Sequence, residues 1–287
     1  MSLNNLIQGA KFLECDALLE DAEIVVVGAG YDGTSSYRAG SRFAPQAVRA
    51  ETLYSLESYS PYFKRDLIDL AVHDAGDIDM PFGDKSKALE MIGTTADEIL
   101  EMNKQPFFIG GEHLITLPLV EAALQKYPNL HLIQLDAHLD LMDSLFGNRL
   151  SHGTVMRRIM DLVGCERIFQ VGVRSGSREE FELAGKETQF FPFNTLEFNA
   201  KANAIGDEPF YLTVDLDVFD SSLIPGTGTP EAGGIFFPEF MQFLQAIHSL
   251  NIVACDVVEL APRIDSTGAS TAVASKVIRE MLMAINR

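Results

Sequence analysis

Apolar runs alternate with amphipathic segments along most of this chain. Runs suited to buried strands are predicted at residues 22–27, 67–72, 105–109, 131–135, 167–173, 210–214 and 252–258. Helical periodicity predicts helices over residues 45–57, 85–102, 117–126, 153–163, 178–184, 238–250 and 269–286. Strands separated by helices imply right-handed crossovers, and therefore a largely parallel sheet covered on both faces. The pattern predicts an α/β fold of three layers, α-β-α, forming one domain over residues 1–287.

Composition narrows the classes of function. With 287 residues, 47% of them hydrophobic and 22% charged, the chain is typical of a globular protein. No stretch approaches the ~20 apolar residues that span a bilayer, and the first residues do not resemble a secretion signal. The formal charge of −19 argues against nucleic acid and anionic membranes as partners, and is compatible with a cationic substrate. Three cysteines without a CxxC pair favour free thiols in the cytoplasm.

A glycine pattern near the N-terminus matches the dinucleotide-binding fingerprint GxGxxG. It occupies residues 28–33 and follows an apolar run. The fingerprint requires a helix that opens directly after it, so that the helix N-terminus can hold a pyrophosphate. Here Gly40 and Pro45 prevent a helix before residue 45, and no second strand carries a ribose-binding acid. We therefore interpret the pattern as a glycine turn that leaves the first strand.

Two of the apolar runs end in clusters of side chains typical of metal ligands. The first cluster follows residues 131–135 and consists of Asp136, His138 and Asp140. The second follows residues 210–214 and consists of Asp215 and Asp217. A strand alternates its faces at every residue, so the members of each cluster are expected to point one way. Charged carboxylates at the edge of a core need neutralisation, which divalent metal provides. The sequence thus predicts a metal site at the carboxyl edge of the sheet.

A third strand end adds His113, which follows two glycines. Two imidazoles and four carboxylates are too many ligands for one tetrahedral zinc ion. They suit two octahedral ions bridged by carboxylates, and an oxygen-rich mixed set favours Mn²⁺. Two such ions would share a water and lower its pKa towards neutrality. The alternative, a calcium-binding EF-hand loop, is disfavoured because Phe219 and Asp220 occupy positions that need an acid or Asn and a glycine.

Six motifs in a fixed order resemble the ureohydrolase family of arginases and agmatinases, and are most like a bacterial agmatinase. They are GGEH at 110–113, DAHLD at 136–140, SHGT at 151–154, VDLDVFD at 214–220, GTGTPEAGG at 226–234 and DVVE at 256–259. The segment YRAGSRFAP at 37–45 is also similar to the family's N-terminal arginine-glycine segment. The resemblance implies an arginase-like sheet of about eight mostly parallel strands and a homotrimer or homohexamer. Leu114 and Ser221 depart from the family's usual Ser and Pro, and neither replaces a ligand.

The resemblance also implies roles for individual residues in a site with two Mn²⁺ per chain. His113 and Asp140 would bind one ion. His138 and Asp217 would bind the other, and Asp136 and Asp215 would bridge the two ions. Asp140 would also orient a bridging hydroxide. Glu259 would pair with the guanidinium, and His152 would move a proton to or from the departing amine. The residues alone leave open that His152 caps a helix at the surface, and that Glu259 pairs with Arg263.

The loop at residues 141–151 bears on which guanidino compound is the substrate. It lacks the Asn-Thr-Pro run with which arginases hold an α-carboxylate, and it carries Asp143, which would repel a carboxylate and tolerate an amine. Asp143 and Asn148 are therefore predicted to bind substrate, although Arg149 argues the other way. We expect agmatine to be cleaved to putrescine and urea. The alternatives are arginase, guanidinobutyrase, formiminoglutamase or guanidine hydrolase activity and, outside this class, a dehydrogenase or a non-catalytic metal-binding protein.

Overall fold

The chain folds around a sheet whose strands alternate with helices, and the computed structural model describes residues 3–202 and 206–286. Its strands are β1 (Leu6–Ile7), β2 (Ile24–Ala29), β3 (Tyr59–Ser60), β4 (Arg65–Asp66), β5 (Val72–Ile78), β6 (Gln105–Gly110), β7 (His131–Leu135), β8 (Ile168–Val171), β9 (Gln189–Phe191), β10 (Pro209–Asp215) and β11 (Asn251–Val258). Its helices are α1 (Ala44–Ser55), α2 (Lys85–Glu101), α3 (Thr116–Lys126), α4 (Val155–Val163), α5 (Arg178–Glu187), α6 (Leu196–Ala202), α7 (Phe237–Ile247) and α8 (Ala269–Ile285).

The main sheet is parallel except at one edge. Among the described residues it has nine strands in the order β1-β5-β2-β6-β11-β10-β7-β8-β9, and β3 pairs with β4 apart from it. Only the two-residue strand β1 runs antiparallel to its neighbour. The predicted α/β fold with a mostly parallel sheet is therefore confirmed, and the strand number is close to the expected eight.

Both faces of the sheet are buried, which makes the fold three-layered. Neighbouring residues of one strand enter different cores: Val26 and Phe107 pack on one face, whereas Val25 and Phe108 pack on the other. Helices α1, α6, α7 and α8 cover the first face, and α2, α3, α4 and α5 cover the second. No helix in the described ranges is long and apolar enough to cross a membrane.

The predicted strand at residues 67–72 is wrong. Leu67–Asp69 form a 3-10 turn, because the carboxylate of Asp66 accepts a hydrogen bond from the backbone N–H of Ile68 and caps it. The strand is instead β5, which apolar patterning does not reveal because its interior is polar. The structure satisfies these polar groups internally, so a polar strand can lie within the sheet.

The polar interior of β5 is held by one buried ion pair. Asp74 accepts hydrogen bonds from Arg49 at 2.7 and 2.8 Å and from the backbone N–H of Phe12 at 2.7 Å. The same guanidinium contacts Asp77, and the side chains of Arg49 and Asp74 are 3% and 0% exposed. Since Arg49 lies on α1, this contact fastens the first helix to the sheet.

Removing one partner of this pair should destabilise the fold strongly. Asp74→Asn leaves a buried guanidinium short of charge compensation, so the free energy of unfolding should fall by about 3–5 kcal/mol. Urea denaturation measures this. Lys87→Ala is the control, because it removes an exposed pair with Glu90 and should change stability by about 0–1 kcal/mol. Equal, small effects from both variants would contradict the assignment.

Candidate metal centre and active site

The candidate residues meet where four neighbouring strands end. Strands β6, β11, β10 and β7 lie side by side, and parallel neighbours have their carboxyl ends at the same edge. His113 follows β6, Glu259 follows β11, Asp215 ends β10 and Asp136 follows β7. Strand order alone thus brings together residues that are up to 146 positions apart in sequence.

The first group of ligand atoms surrounds the imidazole of His113. Its Nδ1 lies 3.1 Å from a carboxylate oxygen of Asp136 and 3.2 Å from oxygens of Asp140 and Asp215. Although this nitrogen is buried, none of these contacts has the geometry of a hydrogen bond. The other ring nitrogen lies 2.9 Å from the hydroxyl of Thr213, which leaves Nδ1 as the nitrogen available to a metal.

The second group centres on His138 and shares one carboxylate with the first. The Nδ1 atom of His138 lies 2.9 Å from Asp217 and 3.7 Å from Asp136. Two sets of potential ligand atoms each lie within 4.8 Å of one another, and both sets contain Asp136. A carboxylate common to two sites is the arrangement expected of a bridging ligand, and the donor atoms present fit a pair of metal ions.

Local turns, and not the alternation of residues along a strand, orient the side chains of the two clusters towards the centre. Strand β7 already ends at Leu135, and Asp140 adopts a left-handed backbone with φ of 53°. The 3-10 turn Leu216–Val218 carries Asp217, whose N–H donates to Asp215 at 2.9 Å. The prediction that the cluster members converge is confirmed by these contacts, but the reason given for it, a shared strand face, is wrong.

Although burial opposes it, His113 and His138 lower the pKa of Asp136, and Asp140 and Asp215 are left short of positive charge. Burial, together with Asp217 and Asp136, raises the pKa of Asp215 well above its usual value. Burial and Asp136 also raise the pKa of Asp140 to about 6. Burial alone would lower the pKa of His138, but Asp217 and Asp136 raise it. The pKa shifts of Asp215, Asp140 and His138 favour neutral carboxyl groups and a charged imidazole, which is the effect of excess negative charge. Divalent cations would neutralise that charge.

Polar residues inside the strands support the clusters. The side-chain amide of Gln134 donates to Asp136 at 2.7 Å, and Gln170 donates to Gln134 at 2.8 Å. The hydroxyl of Thr213, which contacts His113, donates to Asp256 at 2.6 Å. The sequence prediction missed these residues. A signal was present, because Gln134 and Thr213 are polar positions in apolar runs and stand two residues before the first carboxylate of each cluster.

Glu259 lies beside the first group in a left-handed backbone conformation with φ of 67°. One carboxylate oxygen accepts the backbone N–H of His113 at 2.8 Å. Burial, and then the charge of Glu112, raises the pKa of Glu259 to about 8. The alternative partner, Arg263, instead places its guanidinium 3.5 Å from the centre of the Phe43 ring.

His152 begins a 3-10 turn, His152–Thr154, and its ring faces the same space as the metal ligands. Its Nε2 lies 3.1 Å from the hydroxyl of Ser36, and its buried Nδ1 has no hydrogen-bond partner among the described residues. Burial lowers the pKa of the ring, so the neutral form is favoured. The structure thus places His152 in the site and not at an isolated helix end.

A cavity of about 310 Å³ opens over the ligand clusters. Most of the predicted site residues line it: His113, His138, Asp140, His152, Asp215, Asp217 and Glu259. The sequence prediction missed other lining residues, including Ser36, Met142, Leu145, Ser175, Glu180 and Thr229. A cavity of this size fits a small, extended molecule.

The two predicted substrate-binding residues in the loop at 141–151 do not line this cavity. Asp143 is 61% exposed and pairs with Arg158 at 2.9 Å and Arg149 at 3.4 Å. The side-chain oxygen of Asn148 accepts a hydrogen bond from Lys85 at 2.9 Å, next to a different cavity. The loop reaches the centre through Met142 and Leu145 instead.

Comparisons with known proteins agree with this geometry. A sequence profile of the arginase family matches residues 22–284. The agmatinase of Bacillus anthracis is 41% identical over 99% of both chains. The guanidinobutyrase of Pseudomonas aeruginosa is 32% identical, over 94% of this chain and 88% of that protein. The crystal structure of agmatine ureohydrolase from Thermoplasma volcanium superposes with a TM-score of 0.87 at 30% identity, covering 97% of this chain and 95% of that one. This protein therefore belongs to the arginase family of ureohydrolases, hydrolases that act on guanidino compounds.

Proposed function

We propose that this hydrolase cleaves the guanidino group of agmatine to give putrescine and urea, with two Mn²⁺ held in each chain. The observation that carries the proposal is the cavity itself. Its floor holds two ligand groups that share Asp136, and its walls combine Glu259 and Glu180 with apolar side chains. The two ligand groups offer a hydrolytic centre, and Glu259 offers a carboxylate to a guanidinium. Glu180 offers a second carboxylate further along the cavity wall.

The ligands divide between the two ions in the way that the resemblance implies. His113 and Asp140 would hold one ion, His138 and Asp217 would hold the other, and Asp136 and Asp215 would be shared between them. Support comes from the membership of Asp136 in both groups and from the three carboxylates around the ring of His113. Such ions supply a hydroxide nucleophile near neutral pH by lowering the pKa of water.

Glu259 binds the guanidinium and orients its carbon towards the centre. Burial disfavours the ionised carboxylate, so a planar cation that donates two hydrogen bonds is a matched partner. The oxygen that holds the N–H of His113 fixes the direction of the carboxylate. The position of the guanidinium is thereby fixed relative to the metal ligand His113.

His152 delivers the proton that the departing amine requires. An alkylamine leaves a tetrahedral carbon readily only when it is protonated, so the site needs a group that exchanges a proton near neutral pH. The imidazole of His152 lines the cavity, and its buried Nδ1 is unpartnered within the described structure. Its lowered pKa makes the protonated ring a better proton donor.

The cavity wall favours agmatine over guanidino acids. Leu139, Met142 and Leu145 line it and suit a chain of methylene groups. The oxygens of Glu180 accept the backbone N–H groups of Leu141 at 3.0 Å and Ser177 at 2.8 Å, and their remaining lone pairs are offered to a terminal ammonium. No lysine or arginine is among the described lining residues, so a substrate carboxylate would meet no cation there. The predicted contributions of Asp143 and Asn148 are not part of this proposal, because both lie outside the lining.

We further propose that the enzyme works in the cytoplasm, as one domain over residues 1–287 and as a homotrimer or homohexamer. The unpaired state of Cys15, Cys165 and Cys255 supports a reducing compartment. The oligomer rests on the family resemblance.

Asp136→Ala should abolish both metal binding and turnover, because it removes the carboxylate common to both ligand groups. Elemental analysis after Mn²⁺ loading and dialysis should find about two ions per chain in the wild type and fewer than one in the variant. Asp143→Ala is the matched control, since this exposed carboxylate lies outside the cavity, and it should keep both ions. Retention of both ions by Asp136→Ala would refute the bridging role.

Agmatine should be the preferred substrate when urea release is measured with Mn²⁺-loaded protein and a panel of agmatine, arginine, guanidinobutyrate and free guanidine. Glu180→Gln should raise KM for agmatine roughly fivefold, since losing one charge pair costs about 1 kcal/mol. The exposed neighbour Glu179→Gln should leave KM unchanged. Urea release from arginine or guanidinobutyrate alone would overturn the proposed specificity.

A further inference from the structure

Glu112 is a fully buried carboxylate beside a metal ligand, yet its oxygens bind elsewhere. One oxygen accepts the hydroxyl of Thr34 at 2.5 Å. The other accepts the backbone N–H of Thr34 at 2.7 Å and lies 3.4 Å from the hydroxyl of Ser35. Both oxygens are thus occupied by the loop at residues 34–36, which we call the 34–36 loop.

The 34–36 loop contacts His152 at two points. The hydroxyl of Thr34 accepts the backbone N–H of His152 at 3.2 Å while it donates to Glu112. The hydroxyl of Ser36 lies 3.1 Å from Nε2 of the His152 ring. A continuous chain of contacts therefore runs from Glu112 through the loop to both the backbone and the imidazole of His152.

Glycines allow the loop to lie this close. A Cβ on Gly111 would be 1.9 Å from the carbonyl oxygen of Tyr31, and this same oxygen accepts the N–H of Glu112 at 2.7 Å. A Cβ on Gly30 would be 2.6 Å from the carbonyl oxygen of Arg42. The GxGxxG pattern, which begins within β2 and continues beyond it, thus folds the loop against the GGEH segment, and α1 begins only at residue 44.

We propose that Glu112 is a positioning residue for hydrolysis, which acts through Thr34 and Ser36 to hold the imidazole of His152 in line with the departing amine. The inference rests on the proposed function, because it assigns His152 the proton delivery. A carboxylate is required, since three donors converge on its two oxygens. An amide would place an N–H₂ donor against one of them.

The test begins with Glu112→Gln in the Mn²⁺-loaded enzyme. A displacement of the proton donor by about 1 Å should lower kcat about 10²-fold, with KM and bound Mn²⁺ unchanged. The limb of the pH profile that depends on His152 should shift as well. Ser36→Ala keeps the contact between Thr34 and Glu112 and removes only the hydroxyl contact to the His152 ring. It should therefore lower kcat less than Glu112→Gln does, again with KM unchanged. Glu121→Gln on α3 is the control and should match the wild type.

A double-mutant cycle separates positioning from general damage. If Glu112 acts through His152, Glu112→Gln should reduce kcat little further in a His152→Asn background. Multiplicative losses in the double variant would overturn the proposal, as would a Glu112→Gln enzyme with full activity. Should Glu112→Gln fail to fold, Thr34→Val and Ser36→Ala carry the same cycle.

A structural readout keeps this test separate from the identity of the substrate. In a crystal structure of Mn²⁺-loaded Glu112→Gln, the 34–36 loop and the ring of His152 should be displaced while His113 keeps its place. An unmoved His152 would refute the positioning role. If the wild type releases urea from no compound of the panel, the proposed function fails, and the crystal structure still decides the role of Glu112.

Discussion

The crowding of four aspartates around two histidines is the constraint on which the rest of this structure depends. The oxygens of three carboxylates lie within 3.2 Å of one nitrogen of His113, and Asp136 and Asp215 are almost fully buried. Burial and Asp136 raise the pKa of Asp140 to about 6, and burial with Asp217 and Asp136 raises the pKa of Asp215 well above its usual value, so the protein alone supplies these two carboxylates with too little positive charge. Such a cluster is stable when cations complete it.

Strand order and buried hydrogen bonds hold this unfavourable arrangement in place. Four adjacent parallel strands deliver the ligands to one edge, and each cluster is backed by a polar side chain within its strand. Gln134 supports Asp136 on one side, and Thr213 links His113 to Asp256 on the other. Asp256 also accepts the hydroxyl of Tyr211 at 2.6 Å, so this buried carboxylate is well satisfied. The ligands are therefore preorganised by the core and not by loops alone.

The proposed function divides the tasks of catalysis along the same edge. The aspartate clusters would hold the metal ions, Glu259 would bind the guanidinium, and the wall near Glu180 would receive the far end of the substrate. The 34–36 loop, which follows β2, contacts both Glu112 and His152 and so links the GGEH segment to the cavity wall. Glycines that resemble a nucleotide fingerprint serve this close packing.

The sequence predicts those features that depend on apolar periodicity and on residue type. Most strands, the layers and the six metal-ligand candidates follow from buried runs that end in carboxylates. Strand β5 was missed because buried pairing of Asp74 with Arg49 overrides its polar composition. Asp143 was assigned to substrate from its charge alone, but it pairs with Arg158 outside the cavity. Glu180 was overlooked because its position in the cavity depends on how a distant helix packs, which no local pattern encodes.

If Asp136 joins two metal sites at this edge, anomalous diffraction at the manganese absorption edge, from crystals of the Mn²⁺-loaded protein, should locate both ions. Two peaks are expected on either side of the Asp136 carboxylate, one against His113 and one against His138. A single peak, or peaks that lie away from these two histidines, would show that Asp136 does not join two sites.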